Sequence, residues 1–232
     1  MITNPQSPIP FISVVVPIRG EPASAVENVR HLLVEGSSEI VVADSGESPE
    51  TARAYEAAGA RLVAGPGTRG ARLDRAAREA RGEILFFLHA DSRPPADGLA
   101  RIRTAVAGGA AAGAFSLAYA GAGPALAAVA WWVNLRSRLL RLPFGDQGLF
   151  CRRNAYQAAG GFRDMPVCDD LDFVLRVRRV GRFVVLPEKI VTSPRRFAEN
   201  GLLRQGLRDW RVQLGYFAGV APETLERWYL GR

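Results

Sequence analysis

The stretch Ile84-Leu85-Phe86-Phe87-Leu88-His89-Ala90-Asp91-Ser92-Arg93-Pro94-Pro95, ILFFLHADSRPP, decides how the chain is read. A short run of large apolar residues suits a strand buried on both faces. It runs directly into a histidine and an aspartate and halts at a double proline. Because side chains alternate along an extended chain, His89 and Asp91 stand on one side of it, at the strand's carboxyl end.

The same pattern recurs upstream. Phe11 to Pro17 (FISVVVP) is a β-branched apolar run closed by proline, which predicts a buried strand ending at Val16. Glu39 to Ala43 (EIVVA) predicts a second strand ending on Asp44-Ser45-Gly46, and Ala60 to Ala64 (ARLVA) a third. Helical stretches separate them. Glu21 to Glu35 carries Val26, Val29, Leu32 and Leu33 at helical spacing. Ser48-Pro49-Glu50 supplies a cap and first turn, and an alanine- and arginine-rich run leads from Arg69-Gly70 to Arg81-Gly82. This alternation predicts an α/β fold with a mostly parallel central sheet and helices on both faces. Ligands of such sheets gather beyond the carboxyl ends of the strands. The polar residues there are Arg19 and Glu21, Asp44, and His89 with Asp91. No G-x-G-x-x-G follows the first strand and no G-x-x-x-x-G-K-[ST] loop occurs, so nucleotide binding would rest on carboxylates and a metal.

Beyond Pro95 the pattern is less regular. Strands are expected at Gly113 to Tyr119, Asp146 to Cys151 and Phe183 to Leu186. Helices are expected at Pro124 to Leu140, Asn154 to Ala159, Asp169 to Val180 and Gly201 to Gly215. The stretch from Ala105 to Val133 has no charged residue, but its glycines, Pro124 and Ser116 argue against a membrane span.

With 232 residues, 48% of them hydrophobic and 23% charged, the chain reads as one globular domain rather than a disordered one. Its net charge of +7 favours an anionic partner: a nucleotide, nucleic acid or an anionic membrane surface. Two cysteines, Cys151 and Cys168, make neither a disulfide scaffold nor a zinc site, which fits a cytoplasmic setting.

Strand-end aspartates suit a hard cation such as Mg²⁺ or Mn²⁺, which can neutralise a departing diphosphate. Asp91 reads either as its ligand or as a capping or solvated carboxylate. His89 reads as a metal or phosphate contact or as a structural group. Asp44 can accept hydrogen bonds from a base or ribose, or close an Asx-type turn with Ser45 and Gly46. Arg69 opens a helix, where a phosphate or base contact and simple solvation are both open. The pair Asp169-Asp170 also opens a helix, where one carboxylate serves as a cap and the other is free to take a proton from an acceptor hydroxyl. A single base without a second nucleophilic carboxylate fits direct displacement with inversion. Arg195-Arg196 can close over a diphosphate. Trp131-Trp132 can floor an acceptor pocket, join the core or meet a membrane interface.

Taken together, Val14 to Glu21 (VVVPIRGE), Ile40 to Gly46 (IVVADSG), Gly67 to Ala71 (GTRGA), Phe87 to Asp91 (FLHAD), Phe144 to Phe150 (FGDQGLF), Gly160 to Phe162 (GGF), Cys168 to Arg176 (CDDLDFVLR), and the tail from Thr192 to Arg196 (TSPRR) through Gly219 to Tyr229 (GVAPETLERWY) make the chain resemble family 2 glycosyltransferases of the GT-A fold. Within that family it looks most like a small bacterial subgroup, the rSAM/selenodomain-associated transferase 2. The resemblance implies one GT-A domain, with a nucleotide-sugar half at 10–115 and an acceptor half at 116–232. It implies inverting transfer of one sugar from a UDP- or GDP-linked donor with Mg²⁺ or Mn²⁺. By the same resemblance, Pro17, Arg19, Glu21, Asp44, Arg69, Ala90, Asp146, Gln147 and Arg196 border the donor. Asp91 and His89 fall on the metal motif, and Asp170, with Asp169 beside it, takes the place of the catalytic base. Three positions depart from the family pattern: His89 stands for an aspartate, Gly20 for an asparagine, and Asp169 for a glutamate.

The acceptor on this reading is a small molecule or a lipid-linked one, with room for peripheral contact at the inner face of the membrane and for a homodimer. Two rivals stand beside it. A nucleotidyltransferase would bring a glycine- and lysine-rich amino-terminal loop, which is missing from this sequence. A basic protein that binds nucleic acid or anionic lipid without turnover is served by the arginines, although no RNA-binding aromatic motif or recognition helix is visible.

Overall fold

The computed structural model describes residues 10–19, 23–30, 32, 38–47 and 49–231. The expectations for Gly20, Glu21, Leu33 and Ser48 fall outside the described residues.

The first half runs β1 (Ile12–Ile18), a 3₁₀ turn (Ala23–Val26) into α1 (Glu27–Arg30), β2 (Ser38–Asp44), α2 (Pro49–Ala57), β3 (Arg61–Ala64), α3 (Arg69–Glu79) and β4 (Ile84–Phe87). The second half adds β5 (Ser92–Arg93), α4 (Gly98–Ala107), β6 (Ala112–Tyr119), α5 (Pro124–Leu140), a 3₁₀ turn (Gly145–Gln147), β7 (Leu149–Arg152), α6 (Arg153–Ala158), α7 (Asp169–Val177), β8 (Phe183–Thr192), α8 (Arg195–Asn200), α9 (Leu202–Phe217) and α10 (Pro222–Leu230).

One sheet takes the order β3-β2-β1-β4-β7-β6-β8-β5. β1 pairs parallel with β2 and β4, β2 with β3, and β6 with β8. The antiparallel pairs, β4 with β7, β6 with β7 and β5 with β8, each include a strand of the second half, so the sheet is mixed.

Pro17 does not end β1 as the sequence predicts. The carbonyl of Val15 accepts from Leu88 N on the β4 side, so alternation turns Pro17 to that side too, beyond the last β1–β4 pair at Val15 and Phe87. A missing N–H there costs no ladder bond. The expected strand at Asp146 starts later, at Leu149, because Gly145–Gln147 winds into a 3₁₀ turn closed by Gly148 at φ 61°.

Alternation along β1 sends Ile12, Val14, Val16 and Ile18 to one face and Val15 to the other. The first face packs on α2, α4 and α5 through Tyr55, Leu99, Ile102 and Ala130. The opposite face packs on α3, α6 and α7, where Phe87, Tyr156, Phe162 and Phe173 form an aromatic cluster with centroids 4.5 to 6.2 Å apart. That cluster seats the amino-terminal end of α7, and with it Asp169 and Asp170, against the end of β4. No helix among the described residues is long and apolar enough to cross a membrane.

Phe87 is 4% exposed at the centre of the cluster. Replacing Phe87 by Ala should destabilise the fold by about 3–5 kcal/mol, and Phe87→Leu by clearly less. Urea denaturation checks this: equal midpoints for the Ala variant and the parent would mean that the aromatic cluster does not hold the two halves together.

Candidate active site

The site is assembled at the carboxyl ends of β1 and β4, with two helix amino termini pointing at it. Thr68 caps α3, its hydroxyl accepting from Ala71 N at 3.3 Å and donating to Asp164 Oδ1 at 2.7 Å. The next residue, Arg69, therefore leaves the first turn toward α7. Gly70 makes the approach feasible, since a Cβ there would lie 2.2 Å from the carbonyl oxygen of Arg163 and 3.1 Å from Cβ of Asp169. Buried Arg72 donates to the carbonyl of Ile18 at 2.8 Å and fixes α3 to the end of β1.

At α7, Cys168 takes a left-handed conformation (φ 61°, ψ 17°), uncommon for a residue with a side chain, and swings both aspartates into the first turn. Arg69 clamps Asp169 with two parallel bonds, Nε to Oδ2 at 3.1 Å and Nη2 to Oδ1 at 2.7 Å. Asp169 is thereby fully engaged and buried. Asp170 lies 3.6 Å from the same guanidinium and accepts from Gly145 N and Leu171 N, both at 2.8 Å. Burial alone would raise the Asp170 carboxyl, but Arg69 and the two amide donors outweigh it and hold the group below its ordinary range. The side chain of Asp170 keeps 18% exposure toward the cleft.

The third group on Arg69 is His89, whose Nε2 is 3.0 Å from Nη1. A guanidinium only donates, so Nε2 is the accepting nitrogen and the imidazole is neutral. Burial and then the Arg69 charge push His89 down to about 3. Of the two readings of His89, the structural one is supported by this contact, since Nε2 faces a fixed cation. A small recess links Pro17, Arg69, Leu88, His89, Gly145 and Asp170, so the ends of β1 and β4, α3 and α7 meet in one place.

The cleft's other wall was legible in the sequence only in part, through Asp146 and Arg196. Arg136 of α5 stacks 3.9 Å over the ring of Phe144, with its Nε and Nη2 buried and unpartnered. Asp146 is half-buried beside it, its Oδ1 buried and unpartnered, and desolvation, reinforced by Asp170, pushes it up to about 6. Arg196 of α8 is exposed, lies 5.5 Å from the ring of Tyr229 in α10, and acts electrostatically on both Asp146 and His89. In an arginine-rich chain, neither Arg136 nor Tyr229 carries a sequence signal that separates it from its neighbours.

The remaining predicted residues divide. Asp91 is exposed just past β4, with Asp146 close enough to feel its charge. Asp44 closes the turn after β2, its Oδ1 accepting from Gly46 N at 2.9 Å. Ala90 is buried and its carbonyl accepts from Asn28. Arg19 pairs on the surface with Glu47 at 3.1 Å. Gln147 departs from its expected place beside the sugar. It is fully buried, accepting from Ser137 at 2.7 Å and donating to the carbonyl of Phe115 at 3.0 Å, which anchors the turn that carries Asp146. Among the described residues no group of three His, Cys, Asp or Glu side chains is arranged to hold a cation by itself.

This α/β sheet, with its acidic helix terminus facing strand ends, is the GT-A type of fold. Solved structures share it: Staphylococcus aureus TarS 1-349 in complex with UDP-GlcNAc (TM-score 0.63, 16% identity, 79% of this chain and 58% of that one); the Pyrobaculum calidifontis mannosyltransferase PcManGT with GDP-Man and Mn²⁺ (0.63, 20%, 89% and 61%); and Mycobacterium tuberculosis glucosyl-3-phosphoglycerate synthase with Mn²⁺, UDP and glucosyl-3-phosphoglycerate (0.60, 22%, 95% and 88%). The chain spans less than two thirds of the length of the first two. A comparison with curated proteins gives no match in sequence. Residues 13–150, more than half of the 232, match the family described as Glycosyl transferase family 2, and the chain belongs to that family.

The His89 assignment has a direct check. In a His31→Gln background, which leaves a single imidazole, NMR should find His89 neutral from about pH 8 to about pH 5, and Arg69→Gln should raise its pKa. An ordinary midpoint near about 6.5 in the parent would contradict the Arg69–His89 contact. The sign for stability follows. The unfolded chain takes up this proton first, so this contribution is present above the unfolded value of about 6.5 and is lost as pH falls toward the folded one.

Proposed function

We propose that the chain is an inverting glycosyltransferase that moves one sugar from a nucleotide-sugar donor to an acceptor hydroxyl. The observation that supports this most is the ionised Asp170 carboxylate, held by Gly145 N and Leu171 N in the cleft beside Arg69. In the proposed step Asp170 takes the proton of the acceptor hydroxyl while that oxygen bonds to the anomeric carbon. The bond from this carbon to the diphosphate oxygen breaks, and the nucleoside diphosphate leaves with the electron pair. Asp169 is a positioning residue: clamped by Arg69, it fixes the helix terminus that carries the base.

The donor set fits a divalent cation of the Mg²⁺ or Mn²⁺ type, because Asp91 offers an exposed oxygen ligand and such ions take few protein carboxylates when substrate phosphates complete the shell. When bound, the cation would neutralise the departing diphosphate. Arg196 on α8 would add positive charge on the same side. Residues 10–115 would carry the donor and 116–232 the acceptor, with Asp146 and Arg136 lining the acceptor side. The solved relatives support a UDP- or GDP-linked donor, since they are complexes with UDP-GlcNAc, GDP-Man and UDP. The rSAM/selenodomain-associated subgroup rests on the quoted motifs.

Asp170→Asn should lower transfer by at least about 10²-fold with donor affinity retained, whereas Asp91→Ala should weaken Mn²⁺-assisted donor binding. Nucleotide-sugars screened by thermal shift with and without Mn²⁺ identify the donor for both assays, since a ligand of the folded state raises the midpoint. Undiminished turnover in Asp170→Asn would remove Asp170 as the base. No shift with any donor or nucleoside diphosphate would remove the transferase reading.

A further inference from the structure

The buried side of α9 is formed by Gln205, Val212 and Gly215, which pack toward α10 and the acidic cleft. Its opposite side carries Leu203, Leu207, Trp210, Leu214 and Phe217, exposed by 81%, 72%, 58%, 56% and 57%. At 100° per residue these five fall within a sector of about 80°, a continuous apolar stripe along the whole helix. Scattered surface apolars need no explanation, but five large ones aligned on one helix mark an interaction face. An apolar groove lined by Ala125, Leu126, Pro194, Phe197, Ala198 and Leu202 adjoins the stripe's amino-terminal end.

The charge beside the stripe selects its occupant. Arg204, Arg208 and Arg211 run along one flank. The one acid of this helix, Asp209, accepts from Gln205 at 2.8 Å and lies close enough to Asp170 to feel its charge, so it belongs to the cleft side. A second copy packed antiparallel on this stripe would set arginine against arginine, whereas a bilayer rich in anionic lipid offers apolar depth and opposite charge together.

We infer that α9 docks on an anionic membrane surface through this stripe, so that the cleft meets an acceptor carried by a membrane amphiphile. The link from α9 to the site is short. Asn200 donates to Gln205 and Gln205 to Asp209, while Tyr216 of the same helix donates to Asp172 of α7 at 3.1 Å, two residues beyond Asp170. The acceptor class rests on the transferase reading; the docking does not.

The test is flotation of the full chain with vesicles, without nucleotide. Vesicles of phosphatidylglycerol mixed equally with phosphatidylcholine should capture the protein at least about tenfold better than phosphatidylcholine alone, and added salt should weaken capture. The pair Leu207→Ser/Trp210→Ser should lose at least about tenfold in binding with an unchanged circular dichroism spectrum and melting midpoint. Arg204→Gln/Arg211→Gln should lose the lipid selectivity and the salt dependence. Light scattering should find a monomer across the concentrations used. Capture unaffected by the serine pair, no capture at all, or a dimer that the serine pair dissolves would overturn the docking, the last by making a second copy the occupant. Donor shifts without vesicle binding would sink the docking alone, and vesicle binding without donor shifts the transferase reading alone.

Discussion

The paired hydrogen bonds between Arg69 and Asp169 join residues 100 apart in the chain, and the site hangs on them. Asp169 is 3% exposed and Arg69 30%, so each carries a charge that needs the other. Burial would lower the Arg69 guanidinium, yet the two facing carboxylates hold it well above its usual value, which makes it a permanent cation. That one group attaches α3 to α7, offsets burial at Asp170 and adds to burial in keeping His89 neutral. Three side chains that would otherwise repel or wander are set by a single guanidinium with its fork of donors.

Close approach is the second condition. Gly70 lets α3 reach the loop before α7, and Gly145 brings its N–H to Asp170, where a Cβ would meet His89 Nε2 at 2.9 Å. The opposite wall is different in kind. Arg136 and Asp146 are half-buried near one another without forming an ion pair, with Nε and Nη2 of the one and Oδ1 of the other buried and unpartnered.

Much of the frame was legible in the sequence, because β1, β2 and β4 are apolar runs whose period and length leave little choice, and α5 begins at its proline and ends at Leu140 as its pattern implies. Legibility failed where long-range contacts outvote local pattern. Pro17 continues a strand because its neighbour has already ended, and β8 runs on through Thr192 because β6 pairs with it as far as Tyr119, with a bulge at Phe115 and Ser116 absorbing the two extra residues of β8. α4 hid in alanine-rich sequence after a double proline, and α10 in a tail read for its motif rather than its period. In the site, Asp91, Asp170 and Arg69 stood out as charged residues at strand and helix ends. Arg136 had no such mark, and the inward role of Gln147 depends on Ser137 and Phe115, which no spacing in the sequence brings beside it.

The staple itself is open to a double-mutant cycle in Arg69→Leu, Asp169→Leu and the combined variant, followed by denaturant unfolding. Arg69→Leu strands the buried Asp169 and should destabilise the fold by about 3–5 kcal/mol, Asp169→Leu should cost less because Arg69 keeps Asp170 3.6 Å away, and the combined variant should cost well below the sum, giving a coupling of at least about 2 kcal/mol. Additive losses, with no coupling between the two positions, would contradict the ion pair as the constraint that assembles the site.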